Sequence, residues 1–116
     1  MGNLKFEREI LIYKTYFLDF YEQQSLPVQN KIEKVLNLIR NLNQVPKKFF
    51  EHIEDTKGLF EIKVEFEGNI YRIFCFFDKG NLVILGNAFI KKSPKTPRSQ
   101  IEIALRIMKE YNDEKK

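Results

Sequence analysis

The chain has 116 residues, 43% hydrophobic and 31% charged, with 20 Lys and Arg against 16 Asp and Glu for a formal net charge of +4. That length suits a single domain over residues 1–116, and the composition excludes a disordered chain. The lone Cys75 excludes an internal disulfide framework, and no apolar run reaches the length of a membrane span. Residues 1–8 have no hydrophobic leader, so a cytoplasmic location is expected and no membrane partner.

Residues 9–13 read as a short strand, and residues 15 or 16 to 24 as a short helix carrying Phe17, Phe20 and Tyr21. Ser25-Leu26-Pro27 reads as a helix start, with a Ser cap and Pro in the first turn. In the following helix, about 27–43, Val28, Ile32, Val35, Ile39 and Leu42 recur at helical spacing and form one apolar stripe. Pro46 ends that pattern, and Lys47-Lys48-Phe49-Phe50 reads as a connection.

From Gly58 the period changes to two. Phe60, Ile62, Val64 and Phe66 alternate with Glu61, Lys63 and Glu65, the signature of a half-buried strand. Gly68-Asn69 marks a turn, residues 70–77 a second and central strand, Asp78-Lys79-Gly80-Asn81 another turn, and residues 82–89 a third strand. Thr96-Pro97 then starts a helix with Thr as its cap and Ile101, Ala104, Leu105, Met108 and Tyr111 on its inner face, and the Lys/Glu-rich end from Asn112 is expected to fray. Strands joined by short turns pair antiparallel, so the expected fold is α+β: a strand, two helices, a three-strand meander and a last helix, with the helices on one face.

A two-residue turn sets which side chains meet. A turn at Gly68-Asn69 or at Glu67-Gly68 equally pairs the apolar faces of the first hairpin, because the loop length stays even. A Lys79-Gly80 turn sets Arg72 opposite Asn87 and Phe74 opposite Leu85. The second sheet face then carries Lys63, Arg72, Asn87 and Lys91 toward one end and apolar residues toward the other, a candidate binding cleft. After the third strand, Lys91, Lys92, Lys95 and Arg98 fall within eight residues, and Pro94 and Pro97 keep the segment extended. Phosphate is the ligand class such a cluster suits, with Phe89 and either Tyr71 or Phe74 available to stack on a base. Against this stand plainer readings: Arg72 as an ion-pair partner of Glu65, Lys63 as a solvated lysine, and the loop cations as a soluble surface. Cys75 lies in an apolar run and reads as core, and His52, the one histidine, has no partners for a metal site.

The segments Gly58-Leu59-Phe60-Glu61-Ile62-Lys63-Val64-Glu65, Asn69-Ile70-Tyr71-Arg72-Ile73-Phe74 and Asn87-Ala88-Phe89-Ile90-Lys91-Lys92, with Lys95-Thr96-Pro97 and the earlier Tyr13-Lys14-Thr15-Tyr16-Phe17-Leu18-Asp19-Phe20, resemble the RelE/ParE toxin superfamily, most closely its phage-type HigB-like branch. The resemblance spans nearly the whole chain. It implies a RelE-like toxin of a type II toxin–antitoxin system: an mRNA interferase, a metal-independent and cofactor-free endoribonuclease that acts on translated mRNA at the ribosome. It implies catalytic roles for Arg72, Lys63, Lys91 and Lys92, RNA binding by Phe89, Lys95 and Arg98, and a cyclic 2′,3′-phosphate product. The implied partners are the ribosome, mRNA and a HigA-like helix-turn-helix antitoxin, through which alone the toxin meets operator DNA. The chain departs from the RelE pattern at Glu61, where a second strand lysine is expected, and has no match for the catalytic tyrosine near the C-terminus, since Tyr111 falls on a packed helix face. Two rivals share the fold: a ParE-like gyrase inhibitor without nuclease activity, and a non-catalytic nucleic-acid-binding module.

Overall fold

A computed structural model describes residues 7–92 and 95–115. The elements in chain order are β1 (Glu9–Ile12), α1 (Tyr16–Glu22), α2 (Leu26–Asn41), β2 (Phe50–His52), β3 (Leu59–Phe66), β4 (Asn69–Phe77), β5 (Leu82–Lys91) and α3 (Arg98–Glu114). The five strands form one mixed sheet in the order β1-β5-β4-β3-β2. The expected meander is its centre, β3-β4-β5. It is extended at one edge by β1, which runs parallel to β5, and at the other by β2, antiparallel to β3. Strand β2 corrects the reading of Phe50 as part of a connection; at three residues it is too short to show a period.

The helices lie on both faces of the sheet, not on one. The α2 stripe of Val28, Ile32, Val35 and Ile39, with Leu36 and with Phe17 of α1, is buried against Ile62, Val64, Tyr71, Ile73, Cys75, Val83 and Leu85. Leu42, expected in that stripe, follows the last turn of α2 and is exposed. Helix α3 covers the opposite face in two clusters. Ala104, with Ile101 and Leu105, meets Leu59 and Phe74; Ile107, with Ile103, Met108 and Tyr111, meets Phe76 and Ile84. Both faces of the centre are therefore apolar, which is why β4 has no exposed alternate row over residues 71–76.

Neither expected hydroxyl cap forms. Helix α2 starts at Leu26 with Pro27 in its first turn, and the Ser25 side chain makes no capping bond. At α3 the capping position is Pro97, and the Thr96 hydroxyl instead accepts a 3.4 Å contact from the Lys91 ammonium. The end of α3 is tied down rather than frayed. The Tyr13 hydroxyl donates to Glu114 (2.6 Å), Tyr16 to Glu110 (2.7 Å) and Tyr111 to Asp78 (2.5 Å), while Lys14 pairs with Glu110 and Glu114 and Lys115 with Asp78.

Two turns and one irregularity set the register. Glu67 and Gly68 both have positive φ (48° and 81°), so the first hairpin turns at Glu67-Gly68 and pairs Val64 with Tyr71 and Ile62 with Ile73. The second hairpin turns through three residues, Lys79, Gly80 and Asn81, and the Asp78 amide donates to the Leu82 carbonyl. Phe76 therefore pairs with Ile84 and Phe77 with Val83, one residue away from the expected register. Between Cys75–Leu85 and Ile73–Ala88 a β-bulge sets Gly86 and Asn87 opposite Phe74 alone. Beyond it Arg72 pairs with Phe89, not with Asn87, and Ile70 with Lys91.

Candidate nucleic-acid interface

The sheet face under α3 divides into two halves. Near the Asp78–Leu82 turn it is apolar and packed by α3. Beyond the bulge it carries two cross-strand rows, Lys63–Arg72–Phe89 and Glu65–Ile70–Lys91. The bulge decides this grouping. Without it the alternation of β5 would turn Phe89 and Lys91 to the α2 face and put Ala88 and Ile90 beside Arg72.

Arg72 is only 9% exposed and makes a 2.6 Å ion pair with Glu61, itself 4% exposed. The pairing is diagonal to the neighbouring row and replaces the expected contact with Glu65. Three buried polar atoms here have no partner among the described residues: Arg72 Nε, Glu61 Oε2 and Asn87 Oδ1. Lys63 is half-buried and pairs with Glu51 of β2 at 2.7 Å. Glu51 and Glu61 are cross-strand neighbours, an unfavourable like-charge juxtaposition that the two diagonal cations relieve. The Lys63 hydrogen bond holds the Glu51 carboxyl below the usual carboxylate range, with Lys47 and Arg72 adding to the effect. Glu51 went unnoticed in the sequence because its strand did.

Lys91 is buried at 7% exposure. Burial, and then the positive charge of Arg72, lower its ammonium pKa; Glu61 pulls the other way. Phe89 is partly buried and stacks on Phe74, with ring centroids 5.7 Å apart at 24°. The structure thus brings together Lys63, Arg72, Lys91 and Phe89. Lys92 and Lys95 are exposed, as is Arg98, which pairs with Glu102 one turn along α3. Pro94, expected to hold this segment extended, lies outside the described residues, as does Ser93. Tyr71 is buried on the α2 face and is no stacking surface for a ligand at this site. Cys75 is fully buried, and burial pushes its thiol pKa up, which removes it as a nucleophile. Among the described residues no group of three or more His, Cys, Asp or Glu is placed to hold a metal ion, and no helix is long and apolar enough to cross a membrane.

Fold and site together define a small α+β protein with a cluster of cations on one half of a sheet face. The chain belongs to the family of phage-derived Gp49-like proteins (DUF891), whose model matches residues 19–109, a span from α1 into α3. That family is toxin-like, of the RelE-related kind found in type II toxin–antitoxin pairs. No curated protein is similar enough in sequence to count as a match.

Proposed function

We propose that this protein is the toxin of a type II toxin–antitoxin pair of the HigB-like branch and that it cleaves mRNA at the ribosome without a metal ion. The observation that carries this reading is the convergence of Lys63, Arg72 and Lys91 beside Phe89 on one half-face of the sheet. In the proposed reaction the ribose 2′-oxygen attacks the adjacent phosphorus. The new P–O2′ bond forms as the P–O5′ bond breaks, leaving a cyclic 2′,3′-phosphate and a 5′-hydroxyl. The pentacovalent intermediate carries additional negative charge, which a guanidinium and two ammonium groups stabilise best where water is scarce. The half-buried to buried setting of these three cations supplies that condition. The Lys91 ammonium, a better proton donor than an ordinary lysine because its pKa is lowered, protonates the departing 5′-oxygen, and the 2′-hydroxyl proton passes to solvent. Phe89 offers a ring for a neighbouring base, and the exposed Lys92, Lys95 and Arg98 contact outlying phosphates.

The antitoxin in this reading is a HigA-like helix-turn-helix protein encoded beside the toxin. Induced expression followed by primer extension on translated mRNA tests the proposal. Discrete cuts within coding regions, abolished by co-expression of the neighbouring open reading frame, are expected. Intact mRNA with growth arrest and DNA breaks would overturn it in favour of gyrase inhibition.

A further inference from the structure

A second cationic surface adjoins the cluster. Lys31 of α2, Lys48 and Phe49 of the α2–β2 connection, and Lys63 and Glu65 of β3 line a groove of about 230 Å³. The backbone shapes it: the Lys63 amide donates to the Phe49 carbonyl at 2.9 Å, which draws the connection alongside β3. Lys48 lies over the ring of Phe49, 5.5 Å from its centroid, so its stem is braced on an aromatic face. Lys47 acts electrostatically on Glu51, on the same side. Counting Lys31, Lys47, Lys48 and Lys63 against Glu51 and Glu65 leaves the surface with a formal charge of +2. Among the described residues no carboxylate pairs with Lys31 or Lys48, whereas Glu51 pairs with Lys63.

Lys63 belongs to both surfaces. It stands in the row with Arg72 and Phe89 and also forms one wall of the groove. We infer that the groove holds the backbone of the same RNA strand on one side of the cleaved phosphate, with Lys31 and Lys48 contacting phosphates and Lys63 marking the junction. This rests on the ribonuclease reading and adds to it a direction in which the strand leaves the cleavage site. Charge complementarity and continuity through Lys63 select a polyanionic strand over an apolar segment. Glu65 on the groove wall weakens that attraction, so its removal tightens the contact.

The test is fluorescence anisotropy of a short uniform-sequence single-stranded RNA titrated with the full chain at several salt concentrations. With about 0.7 of salt slope per phosphate contact on a single strand, Lys31→Gln with Lys48→Gln lowers the slope by about 1.4 and weakens binding about 25-fold at 0.1 M salt. Lys31→Arg with Lys48→Arg retains the affinity, and Glu65→Gln binds more tightly than the native chain. All three substituted side chains lie on a partly or fully solvated surface, so far-ultraviolet circular dichroism and the melting midpoint should be unchanged. A glutamine double variant with native affinity and slope overturns the groove while leaving the ribonuclease reading standing. A native chain that neither binds RNA nor cuts mRNA overturns both.

Discussion

Removing Arg72 should cost far more stability than its place outside the alternating apolar pattern suggests. The guanidinium is 9% exposed and its 2.6 Å partner, Glu61, is 4% exposed. Arg72→Ala leaves a buried carboxylate without a counter-charge, a change worth about 3–5 kcal/mol. That is a large share of the roughly 5–15 kcal/mol by which a domain is stable. Replacing both partners, as in Glu61→Leu with Arg72→Met, removes the two charges together. It also removes Arg72 Nε and Glu61 Oε2, which lack partners among the described residues. The double variant should therefore fall within about 1 kcal/mol of the native chain, or exceed it. Urea unfolding of the native chain, both single variants and the double variant closes the cycle. If the double variant is as unstable as the sum of the singles, or if Arg72→Ala costs under about 1 kcal/mol, the buried-pair argument is wrong. The double variant is also the proper test of function, because it should fold and yet be harmless on induction. Growth arrest by that folded variant would remove Arg72 from the mechanism.

Lys91 should show the opposite balance. Its folded pKa is lowered, so the unfolded chain binds more protons between that value and about 10.4, and stability rises with pH through that window. Lys91→Met keeps the apolar stem and drops the buried charge, so its melting midpoint at neutral pH should equal or exceed the native one while mRNA cleavage falls; a lower midpoint would show the ammonium to be structural. At the other end of the molecule, Lys115, then Tyr111, hold the Asp78 carboxyl down at about 2. A depressed acid stabilises the fold above its unfolded value near 4 and loses that contribution as pH falls toward 2. Asp78→Asn should therefore lower the melting midpoint at neutral pH and flatten its fall on acidification, and an unchanged acid limb would count against the anchor of α3.

The sequence by itself determined the elements with strong periodicity. The alternation from Phe60 to Phe66 demanded a half-buried strand, and the stripe from Val28 to Ile39 demanded a helix packed on the sheet; both follow from local spacing alone. It also put Lys63, Arg72 and Lys91 on one face, with Asn87 as the expected neighbour of Arg72, although the register behind that grouping differs from the expected one. A two-residue second turn sets even β4 residues against odd β5 residues. The actual three-residue turn reverses that parity, and the bulge at Gly86-Asn87 restores it beyond Phe74. The two one-residue shifts add to two, which leaves the alternation of faces unchanged, so the cations stay on one face while Arg72 exchanges Asn87 for Phe89 as its neighbour. Only the tertiary structure could decide the rest. The three residues of β2 exist as a strand because β3 offers them an edge, and through β2 comes Glu51, the partner of Lys63. Which carboxylate Arg72 takes depends on side-chain reach across a twisted sheet, and Glu61, not Glu65, lies within it. The tail of α3 looked free because its Lys and Glu are solvent-seeking. It is held because a tyrosine and a lysine from the turn after β1, a tyrosine at the start of α1, and an aspartate from the second hairpin reach it across the fold. Pairings between residues so far apart in the chain leave no periodic signal along it.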